Sequence, residues 1–397
     1  MKKILVITPR FPYPVIGGDR LRIFELCKFL SAYYDLTLVS LCETDDELQF
    51  PLPNDGVFKS VKRVLLPKWK SYANCMRALL SQKPLQVAYY ESSEFGNLVN
   101  EIHGDYDLVI PHLIRVADYV KDLDIPKIIE MTDAISMNYE RLAKVNGNTG
   151  IKGLIYKLEK SRLHEYEKNI ITKFDYSIFV SQFDRDFLIE KSESFYTKML
   201  ICSNGVDRDR LPYNYQTGSL KLIFIGNMTS TQNYDAAYFF AKNVLSELRR
   251  IAPYEFCIIG RINEAQMKTL MEIDGVTVTG GVSSIPDTAA GALAGICSVR
   301  IAAGVQNKIL EYMALGIPTI SSSTGLEGLN AKHDESILVA DTVDEYVQMV
   351  EKLRKNQRFA ENISLNALNY IQNNHSWYHM LTPLHMAIDT LLDEANC

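Results

Sequence analysis

The sequence predicts an α/β protein of two sequential parallel-sheet domains. Three observations predict it: the length, the alternation of short apolar runs with amphipathic stretches, and a restart of that alternation past the midpoint. At 397 residues the chain is too long for one ordinary core, and two domains are the natural expectation. Its 47% apolar and 23% charged residues are those of a globular protein that buries a core. Lys3 to Thr8 reads as a strand, followed by a loop with Gly17 and Gly18 and a helix from about Asp19 to Tyr33. Asp35 to Ser40, Val61 to Leu66, Leu108 to His112, Lys127 to Glu130 and Tyr176 to Val180 read as further strands. Strands separated by helices imply βαβ units, whose right-handed crossovers place helices on both faces of a sheet.

From Ile201 to Gly218 the pattern pauses in a turn-rich stretch and then restarts. Leu220 to Gly226 is a fresh strand ending at glycine, with a helix from about Tyr234 to Arg250 and strands at Phe256 to Gly260 and Gly275 to Thr279. The expected division is 1–205, 206–375, and a last helix at 376–397 that packs back on the first domain. Asn373-Asn374-His375 marks a polar break in the helical stretch from Asn362 to Leu392.

The net charge of −6 argues against a general nucleic-acid binder, which carries a basic surplus. Seven cysteines are odd in number and scattered without a CxxC pair or Cys/His cluster. They read as reduced thiols of a cytoplasmic protein with no zinc site. The opening MKKILVITPRFP is a first strand rather than a signal peptide, its apolar run being short and followed by Pro, Arg and Pro. No stretch approaches a membrane span. Between Val57 and Tyr90, however, Lys59, Lys62, Arg63, Lys68, Lys70, Arg77 and Lys83 occur without an acidic residue, interleaved with Trp69, Tyr72, Leu79 and Leu80. Such a stretch is either an ordinary solvated face or a surface that touches anionic lipid, peripheral on the inner membrane.

The segment from Gly304 to Leu329 carries the most chemistry. Ile309, Leu310, Met313 and Ala314 recur at helical spacing, Gly316 fits a C-cap, and Pro318 opens a buried strand. Gly304, Val305, Gln306, Asn307 and Lys308 lie at the start of that helix. Backbone N–H groups at a helix start, with a lysine beside them, suit a phosphate or diphosphate. Glu311, one turn in, suits ribose hydroxyls. A core helix with a solvated lysine and glutamate explains the apolar face but not the opening glycine and loop.

Two tandem Rossmann-like domains with these features resemble the GT-B glycosyltransferases, and more narrowly the family-four retaining enzymes. The resemblance covers nearly the whole chain and rests on ordered pieces: ITPRFPYPVIGGDRLR, SNGVD, FIGNMTSTQN and the 304–329 segment. It implies two domains facing a cleft, a nucleotide-diphosphate sugar as donor substrate, and no metal or other cofactor. It further implies a glycan or lipid-linked acceptor in bacterial surface polysaccharide assembly. By the same resemblance Glu311 meets the ribose, and Gly304 to Asn307 face the diphosphate and sugar. Gly226 admits the phosphates, and Gly17 and Gly18 face the donor from the first domain. Two departures stand out. Ala303 replaces an acidic residue, and no base follows Gly226, which leaves Lys308 and Arg261 as the phosphate cations.

His112 closes a first-domain strand at its carboxyl end, where α/β sheets place their sites, and the family has a sugar-contacting histidine in a similar place. Arg115 and Asp133 are the other catalytic candidates. Asp133 suits an acceptor hydroxyl or a base's role, and equally an N-cap for a helix beginning near Ala134. Asn204 and Gly205 read as turn formers, and Asp19 and Arg22 as helix openers. Rival readings are a GT-B sugar-nucleotide epimerase, which needs an acid and base pair, and a non-catalytic sugar-nucleotide-binding protein. A nicotinamide dehydrogenase lacks its GxGxxG after either first strand.

Overall fold

The computed structural model of the chain describes residues 1–146, 150–216, 218–301 and 304–394. They form two compact units, one of Met1–Ser203 with Met380–Cys397 and one of Asn204–His379.

The first unit contains β1 (Lys3–Thr8), β2 (Asp35–Cys42), β3 (Ser60–Leu65), β4 (Leu108–Pro111), β5 (Ile128–Thr132), β6 (Tyr176–Phe179) and β7 (Met199–Ile201). One ladder runs β3-β2-β1-β4 and a second β5-β6-β7, with every pair parallel. Single parallel bridges, Val109 to Lys127 and His112 to Glu130, join β4 to β5. Ile4, Leu5, Val6 and Ile7 are wholly buried, the continuous apolar run of a strand covered on both faces. Because β1 has β2 on one side and β4 on the other, the order of the chain reverses there. Ligands of such sheets bind outside the carboxyl ends of the strands at that reversal.

The second unit contains β8 (Lys221–Ile225), β9 (Glu255–Ile259), β10 (Val276–Gly280), β11 (Ala294–Cys297), β12 (Thr319–Ser321) and β13 (Leu338–Val339). Their order is β10-β9-β8-β11-β12-β13, again all parallel, and the reversal falls between β8 and β11. Strand β11 is absent from the sequence reading because Ala-Gly-Ile-Cys has little strand propensity. The structure gives the reason for the small residues. A Cβ at Gly295 would lie 2.3 Å from the Tyr312 ring. Past the last β8–β11 pair, Gly295 with Ile223, the strands part, and the buried Tyr312 hydroxyl fills the gap. It accepts from the Ile225 N–H at 2.8 Å and donates to the Ile296 carbonyl at 3.2 Å. Both freed backbone groups are thereby satisfied, and the crevice of the reversal is held open.

The helix expected from Tyr234 to Arg250 begins at Thr231, widens into a π segment at Phe240–Leu245 and ends as Ser246–Arg249. The wider turn keeps Phe240, Ala241, Val244 and Leu245 all in the core. The last helix is Trp377–Glu394, with Leu381, Leu384, Ile388 and Leu392 buried. From Met380 onward it belongs to the first unit. There the Tyr34 hydroxyl donates to Asp389 at 2.6 Å, and His385 stacks on Tyr33 at 4.0 Å between centroids. Among the described residues no helix is long and apolar enough to cross a membrane.

Candidate functional site

In the second unit the residues singled out from the sequence gather at the carboxyl ends of β9, β8 and β11. Gly226 follows β8 and Gly260 follows β9 with φ of 139°. A Cβ on Gly260 would stand 1.9 Å from the Gly226 carbonyl oxygen. This close approach admits only glycine at 260, since no side chain fits either the space or the backbone angle. Beyond it the Met228 N–H donates to the Arg261 carbonyl at 2.7 Å. The Arg261 side chain is exposed and has no partner among the described residues.

The helix after β11 spans Asn307–Leu315, with Gln306 as an N-cap whose side chain does not cap the helix N–H groups and Gly316 as a left-handed C-cap. Gly304 turns the loop with φ of 67°, and Val305 is buried beneath it. Lys308 is 7% exposed. Its ammonium donates to Asn233 Oδ1 at 3.0 Å and Gln306 Oε1 at 3.2 Å, and lies 5.2 Å from the centre of the Phe224 ring. Among the described residues no carboxylate lies within ion-pair distance of it, whereas Arg300, the other cation of this loop, is held by Asp235 at 2.6 Å. A buried ammonium paired only with neutral oxygens, next to an uncapped helix start, is a site short of negative charge. The carboxyl of Glu311, one turn further, makes no hydrogen bond with any described residue. Burial raises its pKa, with Lys308 acting the other way. Ala303 lies outside the described residues.

The SNGVD segment does more than turn. Asn204 is buried, donates to Asn307 Oδ1 at 2.7 Å, and its carbonyl is bonded to His375 Nδ1 at 3.0 Å. It therefore fixes the first residue of the Asn307–Leu315 helix. Gly205 is required because a Cβ there would lie 2.5 Å from the Trp377 backbone.

In the first unit His112 and Glu130 stand on adjacent parallel strands in direct register, so their side chains share a face. His112 Nδ1 lies 2.6 Å from Glu130 Oε2, the Thr132 hydroxyl donates to the same oxygen at 2.8 Å, and Arg22 Nε donates to Oε1 at 3.2 Å. Arg22 is 1% exposed and Glu130 fully buried. Arg22 is thus no mere helix opener. Burial would raise the Glu130 pKa, but Arg22 and then His112 hold it at about 2. Leu113 and Thr132, the neighbours of this pair, have φ of 67° and 62°. Such strain in non-glycine residues persists where the surrounding structure enforces it, and it gathers at functional sites.

Asp133 follows Thr132, and the capping duty expected of it is taken by others. Asp184 accepts from the Ala134 N–H at 3.2 Å, and Glu167 from the Ile135 and Ser136 N–H groups at 2.7 and 3.2 Å. The helix itself is Ile135–Asn146. The Asp133 carboxyl keeps one long bond, from Asn138 at 3.4 Å. Burial first, then Asp184, push its pKa up to about 7, with Arg115 opposing. Arg115 donates to Gln86 at 3.0 Å and sits over the Tyr90 ring at 5.4 Å. Gly17, with φ of 99°, caps the Gly18–Leu30 helix without a side chain. In its first turn Asp19 meets Arg10 at 3.4 Å. Burial would raise the Asp19 pKa, but Arg10, His112 and Arg115 bring it below the ordinary carboxylate range. His112, Asp133, Arg115 and the glycine loop thus share the carboxyl edge of the first sheet. Among the described residues no three His, Cys, Asp or Glu side chains are grouped to hold a metal ion.

Residues 219–356 match the family described as Glycosyl transferases group 1. Over 391 residues the chain is 22% identical to an uncharacterized 44.6 kDa protein in the cps region of Klebsiella pneumoniae, covering 94% of this chain and 97% of that one. In structure it is similar to sucrose-phosphate synthase of Thermosynechococcus elongatus, with a TM-score of 0.75, 12% identity and coverage of 99% and 100%. It is also similar to HepE of Anabaena in complex with UDP, with a TM-score of 0.68, 12% identity and coverage of 98% and 100%. These structural likenesses give the fold, and the family match lies within the second unit. The chain has the fold of the GT-B glycosyltransferases, and its residues 219–356 match the glycosyl transferase group 1 domain.

Proposed function

We propose that the protein is a retaining glycosyltransferase that moves a sugar from a nucleoside-diphosphate donor to a glycan or lipid-linked acceptor in surface polysaccharide assembly. The observation that carries this reading is the buried Lys308 ammonium, which has amide oxygens but, among the described residues, no carboxylate within ion-pair distance, at an uncapped helix start. The diphosphate of the donor supplies the missing negative charge, Glu311 takes the ribose hydroxyls, and Gly226 admits the phosphates. Arg261 is the second cation. As the bond between the anomeric carbon and the diphosphate oxygen breaks, Lys308 and the helix N–H groups stabilise the charge that develops. The acceptor hydroxyl forms the new bond and its proton passes to the departing phosphate. In the first unit His112 and Asp133 hold substrate hydroxyls, Arg115 balances the charge of Asp133, and Gly17 and Gly18 keep the loop before Asp19 close to the sheet edge. Bound UDP in the similar HepE fold and the cps-region relative support donor class and pathway. The test is product formation from a panel of nucleotide sugars with a lipid-linked glycan, read by mass spectrometry and by NMR of the new anomeric centre. Retained configuration, with turnover unchanged by EDTA, is expected; an inverted product contradicts the reading.

We propose further that the enzyme works against an anionic membrane surface. On the Lys68–Ala78 helix the buried residues are Ser71 and Ala78. The opposite face, at about 100° per residue, carries Trp69, Tyr72 and Met76, and the chain goes on to Leu79 and Leu80. Trp69 is 67% and Leu80 97% exposed. This helix turns its apolar stripe to solvent, with Lys68 on one flank and Lys70 and Arg77 on the other. A second copy of the same basic face would repel it, whereas acidic headgroups would not. Vesicles containing phosphatidylglycerol are expected to bind the protein and neutral phosphatidylcholine vesicles to leave it free. Lys68→Gln/Lys70→Gln/Arg77→Gln should weaken binding about a hundredfold, and Leu80→Glu should weaken it as well. Equal binding of both vesicles, or of neither, contradicts the proposal.

A further inference from the structure

Glu130 is a charged residue inside an apolar parallel strand, and the hydroxyl-binding role proposed for His112 does not explain why it is there. Three donors converge on its carboxylate: Arg22 on Oε1, and His112 Nδ1 and Thr132 on Oε2. Arg22 is itself pinned from the other side, where Nη1 donates to the Ser203 carbonyl at 2.9 Å. The register of β4 with β5 is fixed as well, since the Leu113 N–H donates to the Glu130 carbonyl at 2.7 Å.

An ionised carboxylate has only acceptor sites. With Arg22 beside it and its pKa held at about 2, Glu130 has no proton to offer. The proton between it and His112 therefore sits on Nδ1. Neutral imidazole carries one N–H, so the other nitrogen, Nε2, is left as an acceptor. Among the described residues none makes a hydrogen bond to Nε2.

We propose that Glu130 is a positioning residue that locks His112 in the Nδ1–H form, so that Nε2 accepts a hydrogen bond from a substrate hydroxyl. The consequence for an isosteric change follows from Arg22. A guanidinium only donates, so in a Glu130→Gln variant the amide oxygen must face Arg22. The amide NH2 then takes the place of Oε2 and faces His112. Nδ1 becomes the acceptor, the Thr132 hydroxyl rotates to accept, and the neutral ring changes to the Nε2–H form. A donor then stands where the substrate hydroxyl expects an acceptor. Adding Arg22→Met to Glu130→Gln frees the amide to turn over and should restore the Nδ1–H form.

The inference rests on the transferase reading for its substrate, but its first test does not. Long-range proton–nitrogen NMR on the full chain with labelled histidine, assigned with His112→Gln, reads the tautomer directly. Wild type is expected to show a protonated Nδ1 and a bare Nε2, and Glu130→Gln the reverse. With the donor and acceptor found for the wild type, kcat/KM of Glu130→Gln is expected to fall roughly tenfold to a hundredfold, the effect of one misdirected buried hydrogen bond. A wild-type Nε2–H form overturns the proposal without need of any variant. An unchanged tautomer in a folded Glu130→Gln overturns it too, as does inversion without loss of activity. Absence of turnover in the wild type would strike the transferase reading and leave the tautomer result standing.

Discussion

Donor affinity is expected to fall by about two orders of magnitude in Lys308→Ala, the scale of one or two charge-assisted hydrogen bonds to phosphate. The fold should survive the change. Lys308 forms no ion pair with a described carboxylate, so its removal breaks none, and its loss only lifts the already raised pKa of Glu311 further. Its two partners, Asn233 in the first turn of the helix that begins at Thr231 and Gln306 in the loop, are half-buried side-chain amides, where water can replace the ammonium. Loss of the cation–π contact with Phe224 costs about 0.5–2 kcal/mol, within reach of a stable domain. Lys308→Met, which keeps the apolar stem, isolates the charge. Calorimetric titration with the nucleotide sugar and a thermal melt of each variant separate lost binding from lost structure. Wild-type affinity in Lys308→Met would remove Lys308 from the diphosphate site.

Asp133→Asn is expected to raise stability and lower activity together. The folded-state pKa of Asp133 is raised to about 7 by burial and Asp184, against about 3.9 in an unfolded chain. The folded protein therefore binds this proton more tightly than the unfolded chain does. Ionising Asp133 costs stability increasingly as pH rises from about 4 towards 7, and the full cost stands above that. Asparagine avoids it. The side chain keeps some contact with water, so the gain at pH 8 should be about 1–2 kcal/mol rather than the full shift. At pH 4 wild type and variant should melt alike. Activity should rise with pH through about 7 in the wild type as Asp133 ionises, and Asp133→Asn should lose roughly tenfold to a hundredfold in kcat/KM, the scale of one hydrogen bond from a substrate hydroxyl to a carboxylate. Paired urea titrations at pH 5 and pH 8 check the stability arm. A variant less stable than wild type at pH 8 would mean that Asp133 is structural after all.

Much of this was legible in the sequence because it rests on period and punctuation. The strands from Lys3 to Thr8 and from Lys221 to Ile225, the Gly316 C-cap and the helix carrying Lys308 and Glu311 all follow from local rules. Strand β11 was not legible, because its Gly295 serves the Tyr312 ring of a later helix rather than strand propensity. Arg22 was misread for a similar reason. It lies on the same helical stripe as Leu26 and Glu25, which are buried with it, and a charged residue on an apolar stripe was the available signal. Glu130, set among Ile128, Ile129 and Met131 of a buried strand, gave the matching signal, yet nothing local says that the two meet. Asn204 and Asn307 are 103 residues apart, a pairing that only the fold supplies. The exchange of capping duty from Asp133 to Asp184 and Glu167 is likewise tertiary, and it leaves the Asp133 carboxyl without backbone N–H donors.

The central claim is that the reversal between β8 and β11 binds the diphosphate of a nucleotide sugar. Calorimetric titration of the wild-type protein with UDP, GDP and ADP and their sugars, in buffer containing EDTA, tests it most directly. The account predicts one-to-one binding of one nucleotide class, competed by the free nucleoside diphosphate and lost in Lys308→Ala. Absence of binding to every nucleotide, or binding that Lys308→Ala leaves intact, would contradict it.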